Sequence, residues 1–257
     1  MLNQKELIYS IKWDILIVLD SCRCDYFESI VLPKIRELPL KSIDFQCVKS
    51  QGSCSVIWFT RTFTKPLKDV IYLSNNPLIN RNSPLVRVNG KTLRPIDIFH
   101  DVVEVFRLTW KKIHYTYHFD PEELTKIAKL YLKSSDKRLI VHYMQPHAPY
   151  PFSAKLAKYF LPDFVKGDAN FWSMAKKGEI KLEDIKEAYI QNLEWVSRYV
   201  TELIKDVKDK VVIVTSDHGE DFGELKIFNH PCWEGIEKQY GEVIEMIKIV
   251  PFLILKT

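Results

Sequence analysis

Val211-Val-Ile-Val-Thr-Ser-Asp-His-Gly219 is the stretch on which the fold turns. Its first five residues form an apolar run of strand length without polar alternation, and it ends on an acid and an imidazole. Two other runs have the same character, Ile15-Leu-Ile-Val-Leu19 and Leu139-Ile-Val-His-Tyr143. Runs of this kind suit strands covered on both faces, as in a parallel sheet flanked by helices. Helical patterns lie between them. From Leu182 to Val207, apolar residues recur at spacings of three and four, including Ile185, Ala188, Tyr189, Leu193, Val196, Val200, Leu203 and Ile204. Pro121 to Leu132 reads as a second helix, with Asp120 as N-cap and Pro121 in the first turn. Strand, helix, strand, helix, strand predicts an α/β fold, a three-layer sandwich whose central, mostly parallel sheet is flanked by helices. No linker, charge block or internal repeat divides the chain, so residues 1–257 are expected to form a single domain. The topology of Asn75 to Lys111 stays open.

Composition narrows the function classes. There are 37 Lys+Arg against 33 Asp+Glu, a formal charge of +4, with 46% hydrophobic and 27% charged residues. That is a globular balance and excludes disordered and collagen-like chains. Basic residues do not cluster, which argues against nucleic acid as a partner. Apolar runs such as Ile249 to Leu255 fall well short of the roughly 20 residues a membrane helix needs, so no integral membrane segment is expected. Five cysteines, Cys22, Cys24, Cys47, Cys54 and Cys232, are an odd number in a chain long enough to build its own core. They are expected to be unpaired, which places the protein in a reducing, cytoplasmic setting. A thiolate–zinc or redox site on Cys22, Cys24, Cys54 and Cys232 is a rival reading, but Cys22-x-Cys24 lacks the C-x-x-C spacing.

The strand ends carry the chemistry. Asp20 follows Ile15 to Leu19, Asp217 and His218 follow Val211 to Ser216, and the third run leads into Pro146-His147. In an open α/β sheet, ligands bind outside the carboxyl ends of the strands, so these distant side chains are expected to converge there. Carboxylates with imidazole suit Mn, Zn or Fe ions, and a purely oxygen-lined variant suits Mg or Ca. An Asp after a strand is also a common helix N-cap, but caps need no His and would not recur at successive strand ends.

These residues carry a family resemblance. Asp20-Ser-Cys-Arg-Cys-Asp25 after its apolar strand resembles the D-S-x-R-x-D opening of the sulfatase-like branch of the alkaline phosphatase superfamily. Pro146-His-Ala-Pro-Tyr150 is similar to that branch's P-H-x-P-Y loop, and Ser216-Asp-His-Gly-Glu-Asp-Phe-Gly-Glu224 to its S-D-H-G-E-x-x-G-E segment. Phe228-Asn-His-Pro231 resembles the G-H-P element, and Ile249-Val-Pro-Phe252 the V-P strand. The motifs keep the family's order over nearly the whole chain. The resemblance implies an alkaline-phosphatase-like core, which alone would fill a chain of this length.

It also implies a site. Ser50-Gln-Gly-Ser-Cys-Ser-Val-Ile-Trp58 is similar to an S-x-G-S-x-T-x-x-W nucleophile pattern, which puts Ser55 on the nucleophile, with Cys54 as the alternative. The formylglycine signature C-x-[PA]-S-R is missing, so direct attack by a serine alkoxide is favoured, and a phosphoester over a sulfate ester. By resemblance, one divalent ion (Mn, Zn, Mg or Ca) is held by Asp20, Ser55, Asp217 and His218, while His147, His230 and Arg23 support the reacting group. Asp25 is expected to cap the next helix or pair with Arg23. The expected function is a metal-dependent hydrolase or transferase acting on small-molecule, glycan-linked or lipid-linked phosphate or sulfate esters. The alternative is a binding or scaffold protein that kept the fold and lost catalysis. Phe160, Phe164, Phe171 and Trp172 are expected as a core patch rather than a lid.

Overall fold

The computed structural model describes residues 1–83, 86–88, 91–160, 164–232 and 236–257. Eleven strands occur among them: β1 Ile15–Asp20, β2 Ser42–Lys49, β3 Leu67–Ser74, β4 Val86–Val88, β5 Lys91–Leu93, β6 Phe99–Val103, β7 Trp110–Ile113, β8 Thr116–Phe119, β9 Arg138–Pro146, β10 Val211–Ser216 and β11 Ile249–Lys256. Seven form the central sheet in the order β2-β11-β10-β1-β9-β3-β6, and β4-β5 and β7-β8 are separate antiparallel pairs. In the central sheet β11 alone runs against the rest. The three apolar runs of the sequence are its middle, with β1 paired in parallel to β10 on one side and to β9 on the other.

Why those runs lack polar alternation is visible in the core. Ile15, Ile17, Leu19, Leu139, Val141, Tyr143, Val212 and Val214 point to one face of the sheet, under the helix Leu182–Lys205. Leu16, Val18, Ile140 and Ile213 point to the other face, against Trp13, Trp58, Phe59 and Phe63. Neither face meets water, and each buried Ile, Leu or Val contributes about 1.5–3 kcal/mol of apolar transfer. The helix Pro121–Ser134 begins as expected, with the Asp120 carboxylate accepting the Glu122 N–H at 2.9 Å. Phe160, Phe171 and Trp172 are core residues, Phe160 and Phe171 stacked at 4.6 Å; the Phe164 side chain lies outside the described residues.

The cysteine reading is corrected. Cys24 is bonded to Cys47 and Cys54 to Cys232, and Cys22 is the one free, buried thiol. An odd count says only that at least one thiol is left over, and the sheet brings the other four together in pairs: Cys24 follows β1 and Cys47 lies on β2. The thiolate–zinc reading on Cys22, Cys24, Cys54 and Cys232 falls with it, because three of the four sulfurs are already bonded. Among the described residues no helix is long and apolar enough to cross a membrane.

Candidate active site and metal centre

β1, β9 and β10 end side by side, with Leu19 in register with Ser216 and Asp20 with Pro146. Their carboxyl ends therefore place Asp20, Asp217 and the β9 residues on one edge of the sheet, in the interior. Ser21 turns β1 off this edge in a left-handed conformation, φ 61°. In that conformation its N–H donates to Asp217 Oδ1 at 3.1 Å and its hydroxyl to Asp20 Oδ1 at 3.2 Å. A non-glycine residue held there costs roughly 1–3 kcal/mol, which the two bonds to carboxylates offset.

Ser55 arrives from the opposite side, as the first residue of the helix Ser55–Thr62. The loop before it explains the S-x-G-S spacing. The Ser50 hydroxyl donates to the Asp217 carbonyl, and a Cβ on Gly52 would lie 2.2 Å from the Trp58 backbone nitrogen, so only glycine lets the loop pass under its own helix. Trp58 donates its indole N–H to Gln4 Oε1 at 2.8 Å, and the Gln4 amide donates to Thr215 Oγ1 at 2.8 Å and the Ser216 carbonyl at 2.6 Å. One buried amide thus fixes the helix Ser55–Thr62 to the end of β10.

The Ser55 hydroxyl donates to Asp20 Oδ2 at 3.2 Å and lies 3.5 Å from His218 Nε2. The Asn76 amide, just beyond β3, donates to Asp20 Oδ2 at 2.7 Å and to Ser55 Oγ at 3.0 Å. His218 Nδ1 is 2.9 Å from the Gly219 carbonyl, which can only accept, so the proton sits on Nδ1 and the Nε2 lone pair points inward. That lone pair faces Asp20 Oδ1 at 3.5 Å and Asp217 Oδ2 at 3.4 Å. From β9, His142 brings Nε2 to 3.8 Å from Asp20 Oδ2 and 3.7 Å from Asp217 Oδ2, while its Nδ1 meets the Tyr72 hydroxyl at 2.8 Å.

This arrangement fits a divalent cation. Asp20, Asp217, His142 and His218 are fully buried, and ligand atoms of Asp20, His142 and Asp217 lie within 4.8 Å of one another. Buried His142 Nε2 and Asp217 Oδ2 have no hydrogen-bond partner. Two carboxylates and an imidazole lone pair aimed at one dry point repel each other unless a cation sits between them. The electrostatics register that strain: burial and the neighbouring Asp217 push the Asp20 carboxyl up to about 7, and burial pushes His142 down to about 4. Asp217 also is buried, but the facing His218 and His142 rings and the Ser21 N–H outweigh that and hold it below the ordinary carboxylate range.

Two further imidazoles, those of His147 and His230, stand around this centre. His147 donates Nδ1–H to the Ala148 carbonyl at 2.5 Å, and its own carbonyl accepts from His118 Nε2 and Asn192 Nδ2, both at 3.2 Å. The His230 ring packs 4.9 Å from His147 and 4.4 Å from His218, with Nδ1 3.0 Å from Glu220 Oε2. Asp20, Ser55, Asp217, His218, His147 and His230 are therefore brought together as the motif order anticipated.

Two residues are not. Cys54 is closed off as a nucleophile by its bond to Cys232. Arg23 is engaged elsewhere: its guanidinium donates to Asp25 Oδ2 at 2.7 Å and Glu224 Oε1 at 3.2 Å and lies over the Tyr26 and Phe222 rings. Asp25 thus pairs with Arg23. Sequence reading missed His142, Asn76, Gln4 and Glu220. A histidine inside an otherwise apolar strand, five residues before His147, was the available signal for His142; Asn76 and Gln4 carry none, because what they touch is far away in sequence.

The model of the sulfatase family matches residues 51–251. No curated protein matches the chain. Among solved structures, the chain is similar to the soluble domain of lipooligosaccharide phosphoethanolamine transferase A from Neisseria meningitidis, with TM-score 0.62 and 17% identity over 94% of this chain and 75% of that one. The integral membrane form of that transferase (EptA) gives TM-score 0.61 and 16% identity over 95% of this chain and 47% of that one, so the chain spans about half its length. The C-terminal periplasmic domain of EcEptC from Escherichia coli, in complex with Zn, gives 0.59 and 12% over 95% and 72%. At these identities the likeness is one of fold.

Proposed function

The chain belongs to the sulfatase family, and from that premise we propose that it is a metal-dependent enzyme that transfers a phosphoryl-type group from an ester to Ser55 and then to water or a second hydroxyl. The observation that carries this reading is the Ser55 hydroxyl, 3.2 Å from Asp20 Oδ2 in a buried cluster with a converging imidazole lone pair and unpartnered ligand atoms. Asp20, Asp217, His218 and the Ser55 oxygen would hold one divalent ion, with His142 beside it. When bound, such an ion supplies Lewis acidity and lowers the pKa of a coordinated hydroxyl.

The chain's own residues divide the remaining work. Asn76 orients the Ser55 oxygen and fixes Asp20, so the nucleophile is positioned before substrate arrives. His147 and His230, whose Nδ1–H groups are engaged by the Ala148 carbonyl and the Glu220 carboxylate, would in the imidazolium form present Nε2–H to the charge that grows on the equatorial and leaving-group oxygens. Glu220 holds the His230 ring through Nδ1.

Absence of C-x-[PA]-S-R around Ser55 supports a phosphoester over a sulfate ester. The neighbouring phosphoethanolamine transferases support a transfer reaction on a lipid-linked ester as one form of the substrate. Disulfides persist in oxidising compartments and in the cytosol of hyperthermophiles, so the two crosslinks favour one of those settings over the ordinary cytoplasm first expected.

The deciding experiment presents the protein, loaded in turn with Zn, Mn, Mg or Ca, with aryl phosphate, phosphodiester and sulfate esters. Turnover that Ser55→Ala abolishes supports the reading. Silence across the panel, with metal bound, returns the protein to the scaffold alternative.

A further inference from the structure

The metal-side groups Asp20, Asp217 and His218 stand at strand ends of the central sheet, but Ser55 and His230 do not. Ser55 opens a helix behind the loop Ser50–Cys54, and His230 sits in the long connection after β10, where Lys226, Phe228 and Asn229 adopt left-handed conformations with φ 61°, 60° and 75°. Upstream of His230 that connection is anchored by the Asp221 carboxylate, which accepts the N–H groups of Leu225, Ile227 and Phe228 at 3.0, 2.9 and 2.8 Å. Downstream comes Pro231, which has no N–H to give to a ladder.

Two bonds join this downstream side to the nucleophile loop. The Ser53 hydroxyl donates to the Pro231 carbonyl at 2.9 Å, and Cys54 is bonded to Cys232 across a sequence separation of 178. One end of the crosslink is the residue before Ser55, and the other lies two residues after His230. We infer that the Cys54–Cys232 disulfide is a positioning crosslink: it sets the His230 imidazole in register with the Ser55 hydroxyl, so that the attacking oxygen and the ring that meets the departing group move as one unit. This inference rests on the roles given above to Ser55 and His230.

The geometry gives the reason. His230 is 4.4 Å from the His218 ring, so a swing of its loop takes it away from the centre while Asp20, Asp217 and His218 stay with the sheet. A displacement of about 1 Å in a reacting group costs on the order of 100-fold in rate. A disulfide that closes so long a loop also stabilises the fold, so stability alone does not identify a positioning role. The second disulfide, Cys24–Cys47, ties the segment after β1 to β2 and touches neither group, which makes it the natural control.

The test compares the full-length, Mn-loaded wild type with Cys232→Ser, His230→Ala, the double variant, and Cys24→Ser/Cys47→Ser, on the best aryl ester of the panel. Expected are a roughly 100-fold lower kcat for Cys232→Ser, unchanged KM and metal content, and a double variant no slower than His230→Ala, because both changes remove the same contact. A phosphine reductant applied to folded wild type should give the same fall, which serves if Cys232→Ser does not fold. The Cys24→Ser/Cys47→Ser control should keep wild-type kcat. Full kcat in Cys232→Ser or in reduced wild type, multiplicative losses in the double variant, or a fall that tracks metal loss overturns the crosslink's role. If His230→Ala is slow and Cys232→Ser is not, the crosslink alone falls; full activity in His230→Ala removes the role of His230 as well.

Discussion

Ser55 Oγ and Asp20 Oδ2 are joined by a 3.2 Å hydrogen bond between a helix N-terminus and a strand end. The pair puts the hydroxyl against a carboxylate whose ionisation burial resists; on the proposed reading, a bound cation would be what lowers the pKa of that hydroxyl. Ser55→Ala is therefore expected to lower kcat by at least about 1,000-fold while metal stoichiometry falls little, since Asp20, Asp217 and His218 remain. Turnover and metal content measured on the same preparation check this, and near-normal turnover would remove Ser55 from the mechanism.

Asp217 and His142 meet at the other side of the centre, Oδ2 to Nε2 at 3.7 Å, both atoms without hydrogen-bond partners. Asp217→Asn should abolish stable metal binding. His142→Gln should weaken it by about 10- to 100-fold, the range for a group that touches or orients a ligand set. Both are read by competition with a chromophoric chelator. An unchanged affinity in His142→Gln would show that the ring is packing against Trp58 and Tyr72 and nothing more.

Gly52 offers a test of the loop before Ser55 that touches no reacting atom of the proposed mechanism. Its Cβ position is 2.2 Å from the Trp58 nitrogen, and backbone cannot yield as a flexible side chain can. Gly52→Ala should cost about 1–3 kcal/mol of stability and reduce kcat more than KM, because the loop that carries Ser55 must shift. A variant with wild-type melting temperature and kcat would contradict the close approach.

His118 supplies a pH signature away from the metal ligands. Burial holds its imidazole down to about 3, opposed by its bond to the His147 carbonyl. In the unfolded chain the same group titrates near 6.5, so between those values the unfolded state binds a proton that the native state does not. Its contribution is thus complete above about pH 6.5 and declines by up to about 1.4 kcal/mol per pH unit as pH falls toward 3. Urea midpoints at pH 7, 6 and 5 should fall more steeply for wild type than for His118→Gln. Parallel slopes would mean that His118 is not buried in the neutral form.

Arg23 is held by acidic partners and by the Glu220 carbonyl. With Asp25 and Glu224 on its guanidinium and Tyr26 and Phe222 beneath it, Arg23→Ala should lower stability by about 1–2 kcal/mol and leave kcat within about threefold. A 100-fold loss of kcat at unchanged stability would return it to the reacting group.

What could be read directly was whatever depends on local order. The runs Ile15 to Leu19, Leu139 to Tyr143 and Val211 to Thr215 declared a sheet buried on both faces because a strand with no polar side has nowhere else to go, and they are indeed the three central strands. Asp20, Asp217, His218 and His147 were legible because they follow those strands, and parallel strands deliver their ends to one edge. Ser55 and His230 needed the motif spacing as well.

Only tertiary structure decided the rest, because it depends on which distant segments meet. Gln4 reaches Thr215 and Trp58 through one amide and Asn76 bonds both Asp20 and Ser55, and neither has a local pattern that distinguishes it from an ordinary polar residue; His142 stands out in its apolar strand, but what it faces from the middle of β9 is set by the fold. The cysteines make the same point in reverse. Their count suggested free thiols, yet Cys54 and Cys232, far apart along the chain, are brought together when the loop after β10 folds over the start of the helix Ser55–Thr62. A disulfide is a statement about distance in space, and distance in space is what a linear order of residues leaves open.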